Sequence, residues 1–164
     1  AAGSVELEGA TSAQLGWAGV GQYHDLVNPC ALMVWMGGVA NGGKAAVPYL
    51  VLKTEGGLPH PSFHFTRRTG QLIQADTAQV LADMMAQNVV QTYGADRFPN
   101  MDLCAKSGTA EVGGGKQPSS WFTGFLRDQD FPYAFAVVVE EGGSGAGAAG
   151  NVAAQVLDAL VNGY

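Results

Sequence analysis

Three β-prone runs crowd the C-terminal half of the chain, at 104–111, 121–126 and 135–140. The links between them are Gly113-Gly114-Gly115-Lys116-Gln117-Pro118 and Asp128-Gln129-Asp130-Phe131-Pro132. Glycine, proline and aspartate supply the backbone angles of tight turns. A parallel pair needs a crossover of about a dozen residues, so these short links impose antiparallel pairing. The expected class is therefore α+β, with an antiparallel sheet of about three main strands packed against helices.

The helices are legible from their ends. Asn28 is a good N-cap, Pro29 suits the first helical position, and Asn41-Gly42-Gly43 is a stop, which predicts a helix over 29–40. A second helix is expected from Thr77 to about Tyr93, capped by Asp76 and stopped by Gly94. Its buried face is read as Leu81, Met84, Met85, Asn88 and Val89. A closing helix over 148–160 is expected to bury Val152, Val156, Leu157 and Leu160. Residues 1–14 read as an extended lead-in and 15–164 as one domain. Glycines at 16, 19 and 21 make 15–23 a loop or short turn, and 46–54 reads as a strand. Phe63, Phe65, Arg67 and Arg68 suggest another short strand.

Composition narrows the function classes. Eight Lys and Arg residues and a net charge of -6 offer no clustered cations for nucleic acid and no pull towards anionic lipid. The uncharged stretch 26–43 is interrupted by Asn28, Pro29, Asn41 and glycines, so no membrane contact is expected of these residues. The chain opens Ala1-Ala2-Gly3-Ser4 without a basic-then-apolar leader, which suggests a processed or excised piece. His60 and His64 have a metal-like spacing, but Pro61 opposes a helix and no Glu or Cys stands nearby, so no metal is expected. Cys30 and Cys104 read as two buried thiols, with a disulfide as the alternative.

The first of the three strands carries Lys106-Ser107-Gly108-Thr109. A cation, two short hydroxyls and a glycine that admits a ligand close to the backbone make a carboxylate-binding edge. The plain alternative is a solvated edge strand whose lysine discourages aggregation. The run resembles the Lys-Thr/Ser-Gly motif of penicillin-binding proteins and serine β-lactamases. Gly21-Gln22, Asn28-Pro29, Ala40-Asn41-Gly42-Gly43-Lys44, Val47-Pro48-Tyr49-Leu50 and Trp121-Phe122-Thr123-Gly124-Phe125 follow that superfamily's order from about Leu15 to Val161.

The resemblance implies a partial β-lactamase/transpeptidase-like fold, the C-terminal portion of a DD-transpeptidase domain that cross-links peptidoglycan. It implies Lys106 as the catalytic-site lysine, tuning the proton network of the serine hydroxyls. It implies Ser107, Gly108 and Thr109 as substrate-binding, with the Thr109 N–H as half of an oxyanion hole. The strand edge would pair with an extended peptide. The implied ligand is a peptidoglycan stem peptide or a β-lactam, at an extracytoplasmic site, in a parent protein anchored to the membrane. None of the serines, at 4, 12, 62, 107, 119, 120 and 144, has lysine three residues on or asparagine two residues on. The family's order puts both elements upstream, so these residues alone are expected to be inactive. A half domain should expose apolar surface, through which the chain could self-associate.

Two other functions fit parts of the sequence. One is a noncatalytic interaction module that retains the fold. The other is a small nucleotide-binding domain, because Gly145, Gly147 and Gly150 match Gly-x-Gly-x-x-Gly between a strand and a helix. Against it, the strands look antiparallel and the chain ends before the acidic residue that would hold a ribose. No cofactor is expected.

Overall fold

The predicted meander is present. In the computed structural model, which describes residues 3–50 and 67–163, strands β3 (Leu103–Ala110), β4 (Ser119–Leu126) and β5 (Ala134–Val139) form one sheet in that order, antiparallel throughout. The register sets Lys106 opposite Thr123, Gly108 opposite Trp121 and Thr109 opposite Ser120. Strand residues alternate between faces, so the sheet builds two cores. On one side Phe122, Leu103, Ala105 and Leu126 meet Val89, Phe98, Ala149, Ala153 and Leu157. On the other, Cys104 and Phe125 meet Val39, Ala82 and Met85. Phe122 stacks on Phe98 at 5.8 Å and takes the edge of Tyr93 at 5.1 Å.

Among the described residues, α2 (Pro29–Ala40), α3 (Ala75–Asn88) and α4 (Ala148–Val161) pack on the sheet, while α1 (Ser12–Gly19) buries none of its residues. Helix α2 has the predicted bounds, and Asn28 caps it by accepting from Cys30 N and Ala31 N. Helix α1 occupies much of the stretch expected to be loop. Thr11 and Gln14 form a reciprocal capping box, Gln14 N to Thr11 Oγ1 at 3.3 Å and Thr11 N to Gln14 Oε1 at 2.7 Å. Two satisfied end groups offset the glycines' helix cost. The lead-in is not wholly extended coil either. Strand β1 (Gly3–Ser4) pairs with β2 (Leu26–Val27), and α1 already begins within it.

Helix α3 starts earlier than expected, with Gln74 at the N-cap position; Asp76 lies in the first turn. It passes into a single π turn, Val89–Tyr93, that ends at Gly94 with φ 86°. The buried faces of α3 and α4 also differ from the sequence reading. Helix α3 buries Ala78, Ala82 and Met85, leaving Leu81 and Met84 exposed. Helix α4 buries Ala149, Gly150, Ala153 and Leu157 and leaves Val152, Val156 and Leu160 exposed. The reason is close approach. Ala82 O accepts the Cys104 thiol at 3.3 Å, and Ala149 N donates to the Ser120 hydroxyl at 3.0 Å. Helix backbones that near a sheet favour small side chains at the points of closest approach, with Met85 and Leu157 packing beside them.

Of the strand expected at 46–54, the described part shows one isolated bridge, Ala46 to Arg68, and residues 47–50 are not strand. The rest of that strand, the His60 and His64 pair, and Phe63 and Phe65 lie outside the described residues. Cys30 is an exposed free thiol, which corrects the reading of two buried ones; Cys104 is free and buried. No described helix is long and apolar enough to cross a membrane.

Candidate active site on the edge of the third strand

Strand β3 has β4 on one side only, and alternation decides which groups face the other side. Arg127 N donates to Asp102 O, so the even-numbered residues of β3 bond to β4. Ala105, Ser107 and Thr109 therefore turn N–H and C=O towards the free edge. Side chains meet most of these groups. Asn88 Nδ2 donates to Ala105 O at 3.1 Å, Ser107 N donates to the Tyr93 hydroxyl at 2.7 Å, and Lys106 Nζ donates to Ser107 O at 2.7 Å. Gln22 Nε2 donates to Thr109 O at 2.8 Å. The Thr109 N–H points the same way, and no side chain among the described residues takes it. The edge expected to accept an added peptide strand is thus largely covered, and the open donor at its accessible end is the amide of Thr109.

The two hydroxyls are each held from behind. The Tyr93 hydroxyl donates to Ser107 Oγ at 2.9 Å, and Gly145 N donates to Thr109 Oγ1 at 3.0 Å. A hydroxyl that accepts from the protein keeps its own proton to give away. Gly145 reaches Thr109 because it and Gly108 lie backbone against backbone. A Cβ on Gly145 would stand 2.3 Å from Gly108 O and 2.7 Å from Gly108 N.

That contact also answers the dinucleotide reading. Gly145 N is spent on Thr109, Gly147 N on Ser144 O, and Ala149 N on Ser120 Oγ. Arg97 Nη2 fills the space beside Gly150, bonded to Ala146 O and Asn151 Oδ1. The glycine loop binds the sheet instead of a pyrophosphate, and the strand before it is antiparallel to its neighbour.

A cleft of about 270 Å³ runs along this edge, with Lys106, Ser107, Gly108 and Thr109 on one wall and Gln22 and Asp25 on the other. Lys106 and Thr109 are exposed, and Ser107 and Gly108 half-buried. All four residues singled out in the sequence are therefore together and accessible. Among the described residues, Lys106 is the one cation in the lining and Asp25 the one carboxylate. Asp25 Oδ1 is buried with no hydrogen-bond partner among the described residues. At the inner end of β3, burial pushes the Cys104 thiol above its ordinary pKa, opposed by the Arg127 guanidinium whose Nε lies 3.0 Å from Sγ. Arg127 also pairs with Asp83 at 2.8 Å; bonds from Gln79 and then Arg127 hold that carboxyl below its usual range. No group of His, Cys, Asp and Glu among the described residues could hold a metal ion.

The sequence matches the penicillin binding protein transpeptidase domain family over residues 4–162. The chain belongs to that family. Among its relatives is the peptidoglycan D,D-transpeptidase PbpA of Mycolicibacterium smegmatis, 32% identical over 149 residues, covering 87% of this chain and 30% of the relative. PbpA of Mycobacterium tuberculosis is 31% identical over 156 residues, covering 92% of this chain and 31% of the relative. The ceftriaxone acyl-enzyme structure of M. tuberculosis penicillin-binding protein A superposes with a TM-score of 0.76 at 29% identity, over 92% of this chain and 36% of that one. This transpeptidase-family chain thus spans under a third of the length of these curated relatives. Tyr93, Asn88 and Gly145 lie outside the cleft lining and support its strand through hydrogen bonds, roles with no clear signal in the sequence. Tyr93 and Asn88 looked like ordinary helix residues, and Gly145 like part of a phosphate loop. Gln22 carried one signal, the Gly21-Gln22 pair within the family resemblance.

Proposed function

We propose that this chain carries the substrate-binding strand of a D,D-transpeptidase acting on peptidoglycan outside the cytoplasm. The observation that carries the reading is the convergence, on one accessible strand edge, of the Lys106 ammonium, two hydroxyls with protons to donate and the open Thr109 N–H. Lys106, Ser107 and Thr109 bind the terminal carboxylate of a stem peptide or the carboxylate of a β-lactam. Gly108 lets the ligand lie against the strand, and Lys106 also sets the electrostatics of the site. The Thr109 amide donates to the oxygen that gains charge as the carbonyl is attacked. A segment outside these 164 residues supplies the attacking serine, since none here has the Ser-x-x-Lys spacing. The exposed apolar rows of α3 and α4 serve as contact surface for the remainder of a longer protein or for a second copy.

Two measurements on the 164-residue chain test this. A fluorescent penicillin should leave it without a covalent label. Titration with N-acetyl-D-alanyl-D-alanine, followed by amide NMR, should shift resonances of Lys106 to Thr109 first. Covalent labelling, or saturating shifts centred elsewhere, would overturn the reading.

A further inference from the structure

Tyr93 is the one phenol among the described residues hydrogen-bonded to the strand edge, and it is there because of an irregularity. The π turn Val89–Tyr93 closes with Gly94 N on Val89 O at 3.1 Å, and Gly94 then leaves the helix with positive φ. Single π turns inside helices are uncommon and recur at functional sites. This one brings the tyrosine ring against Phe122, edge to face at 5.1 Å and 66°, and carries its hydroxyl to β3. There the hydroxyl makes two bonds to one residue: it accepts from Ser107 N at 2.7 Å and lies 2.9 Å from Ser107 Oγ.

The order of these bonds determines where protons go. The Ser107 N–H has only a proton to offer, so the phenol oxygen must accept it. A phenol oxygen already accepting an N–H is a poor acceptor for a second donor, so its proton goes to Ser107 Oγ. Ser107 O is meanwhile occupied by Lys106 Nζ. Every polar group of Ser107 that Tyr93 or Lys106 can reach is then used, and the remaining group is the serine's own hydroxyl proton. It is left to a ligand at the strand edge, where Lys106 Nζ also reaches Ser107 O. A hydroxyl that accepts one strong bond also becomes a better donor.

We propose that Tyr93 is a positioning residue that fixes Ser107 as a hydrogen-bond donor and so makes the cleft select an anionic oxygen over a neutral one. The inference rests on the carboxylate reading of the same cleft. It adds a residue from a separate element and a specific consequence: removing the phenol hydroxyl costs selectivity for charge. Removing a structural residue would weaken all ligands alike.

The test compares N-acetyl-D-alanyl-D-alanine with its C-terminal amide, binding to the 164-residue chain by NMR titration. The unsubstituted chain should favour the carboxylate. Tyr93→Phe keeps the ring on Phe122 and should cut that preference about five- to tenfold, about the worth of one ordinary hydrogen bond, while amide binding stays unchanged. In a Ser107→Ala background, Tyr93→Phe should have no further effect on the ratio. Equal weakening of both ligands, or a preference that survives Tyr93→Phe, overturns the role of Tyr93 alone. Equal binding of the two ligands by the unsubstituted chain overturns the carboxylate reading, and this inference with it. Should Tyr93→Phe not fold, the unsubstituted chain with Tyr93 labelled at Cζ still decides. That carbon's resonance should move as the carboxylate ligand saturates and not as the amide does; a resonance that stays still overturns the proposal.

Discussion

The two halves of β3 share a strand, a partner and a register, yet one is sealed and the other is open. Leu103, Cys104 and Ala105 are 3%, 0% and 0% exposed, whereas Lys106 and Thr109 are exposed and Ser107 and Gly108 half-buried. On the inner half, whole elements lie close on both faces, and α3 comes near enough for Ala82 O to accept the Cys104 thiol. On the outer half, the edge meets single side chains: Tyr93, Lys106 and Gln22. A strand covered by backbone is a core element. A strand whose free edge meets only side-chain tips can exchange them for a ligand, and this difference turns one end of β3 into a candidate site.

Substitutions on the two halves should therefore separate stability from binding. Phe125, 1% exposed and opposite Cys104, belongs to the sealed half, and Phe125→Ala should lower unfolding stability by about 4 kcal/mol in a urea titration. A loss below about 1 kcal/mol would break the contrast, because the inner half would then not be a tightly packed core. The outer half has one comparable contact, Gly145 on Gly108. Gly145→Ala should cost about 2 kcal/mol by overpacking and also weaken ligand binding, since it moves the amide that holds Thr109 Oγ1. If binding is unchanged, the glycine contact belongs to the core alone.

Smaller effects sharpen the comparison. Lys106→Ala should leave stability within about 0.5 kcal/mol, as expected of an exposed side chain, while weakening carboxylate ligands about tenfold. A large stability loss would move Lys106 into the sealed half. The smallest effect is a pH dependence from Cys104. Burial raises its folded pKa above the ordinary 9.0, so the folded state keeps a proton that the unfolded chain releases. That contribution is fully present below pH 9.0 and declines as pH rises through the folded value. Cys104→Ser should flatten the alkaline decline measured by urea titration. Thiol labelling gives a parallel check: exposed Cys30 should react quickly and Cys104 only on unfolding.

How legible the molecule was differs by level. The meander, the bounds of α2 and the Lys106 to Thr109 edge could be read directly, because turn formers, a proline at the first helical position and a motif on a strand are local signals. The buried sides of α3 and α4 could not. Val152, Val156 and Leu160 form an apolar row as convincing as the Ala149, Gly150, Ala153 and Leu157 row that packs, and distance from the sheet decided between them. Helix α1 is hidden in the sequence because its glycines argue against a helix, while the Thr11 and Gln14 capping box that sustains it lies at one end. The site residues taken from the motif were brought together. Their supports at Tyr93, Asn88 and Gly145 lay in segments whose local pattern suggested other roles.

The amino-acid sequence by itself determined which strands pair, in which direction, and which cation and hydroxyls share an edge, because turn geometry and strand alternation act over a few residues. Tertiary structure decided which end of that edge is open and which proton each hydroxyl can give. Those outcomes depend on where a π turn delivers Tyr93 and where Gly145 meets Gly108, contacts between segments distant in sequence that no local pattern encodes.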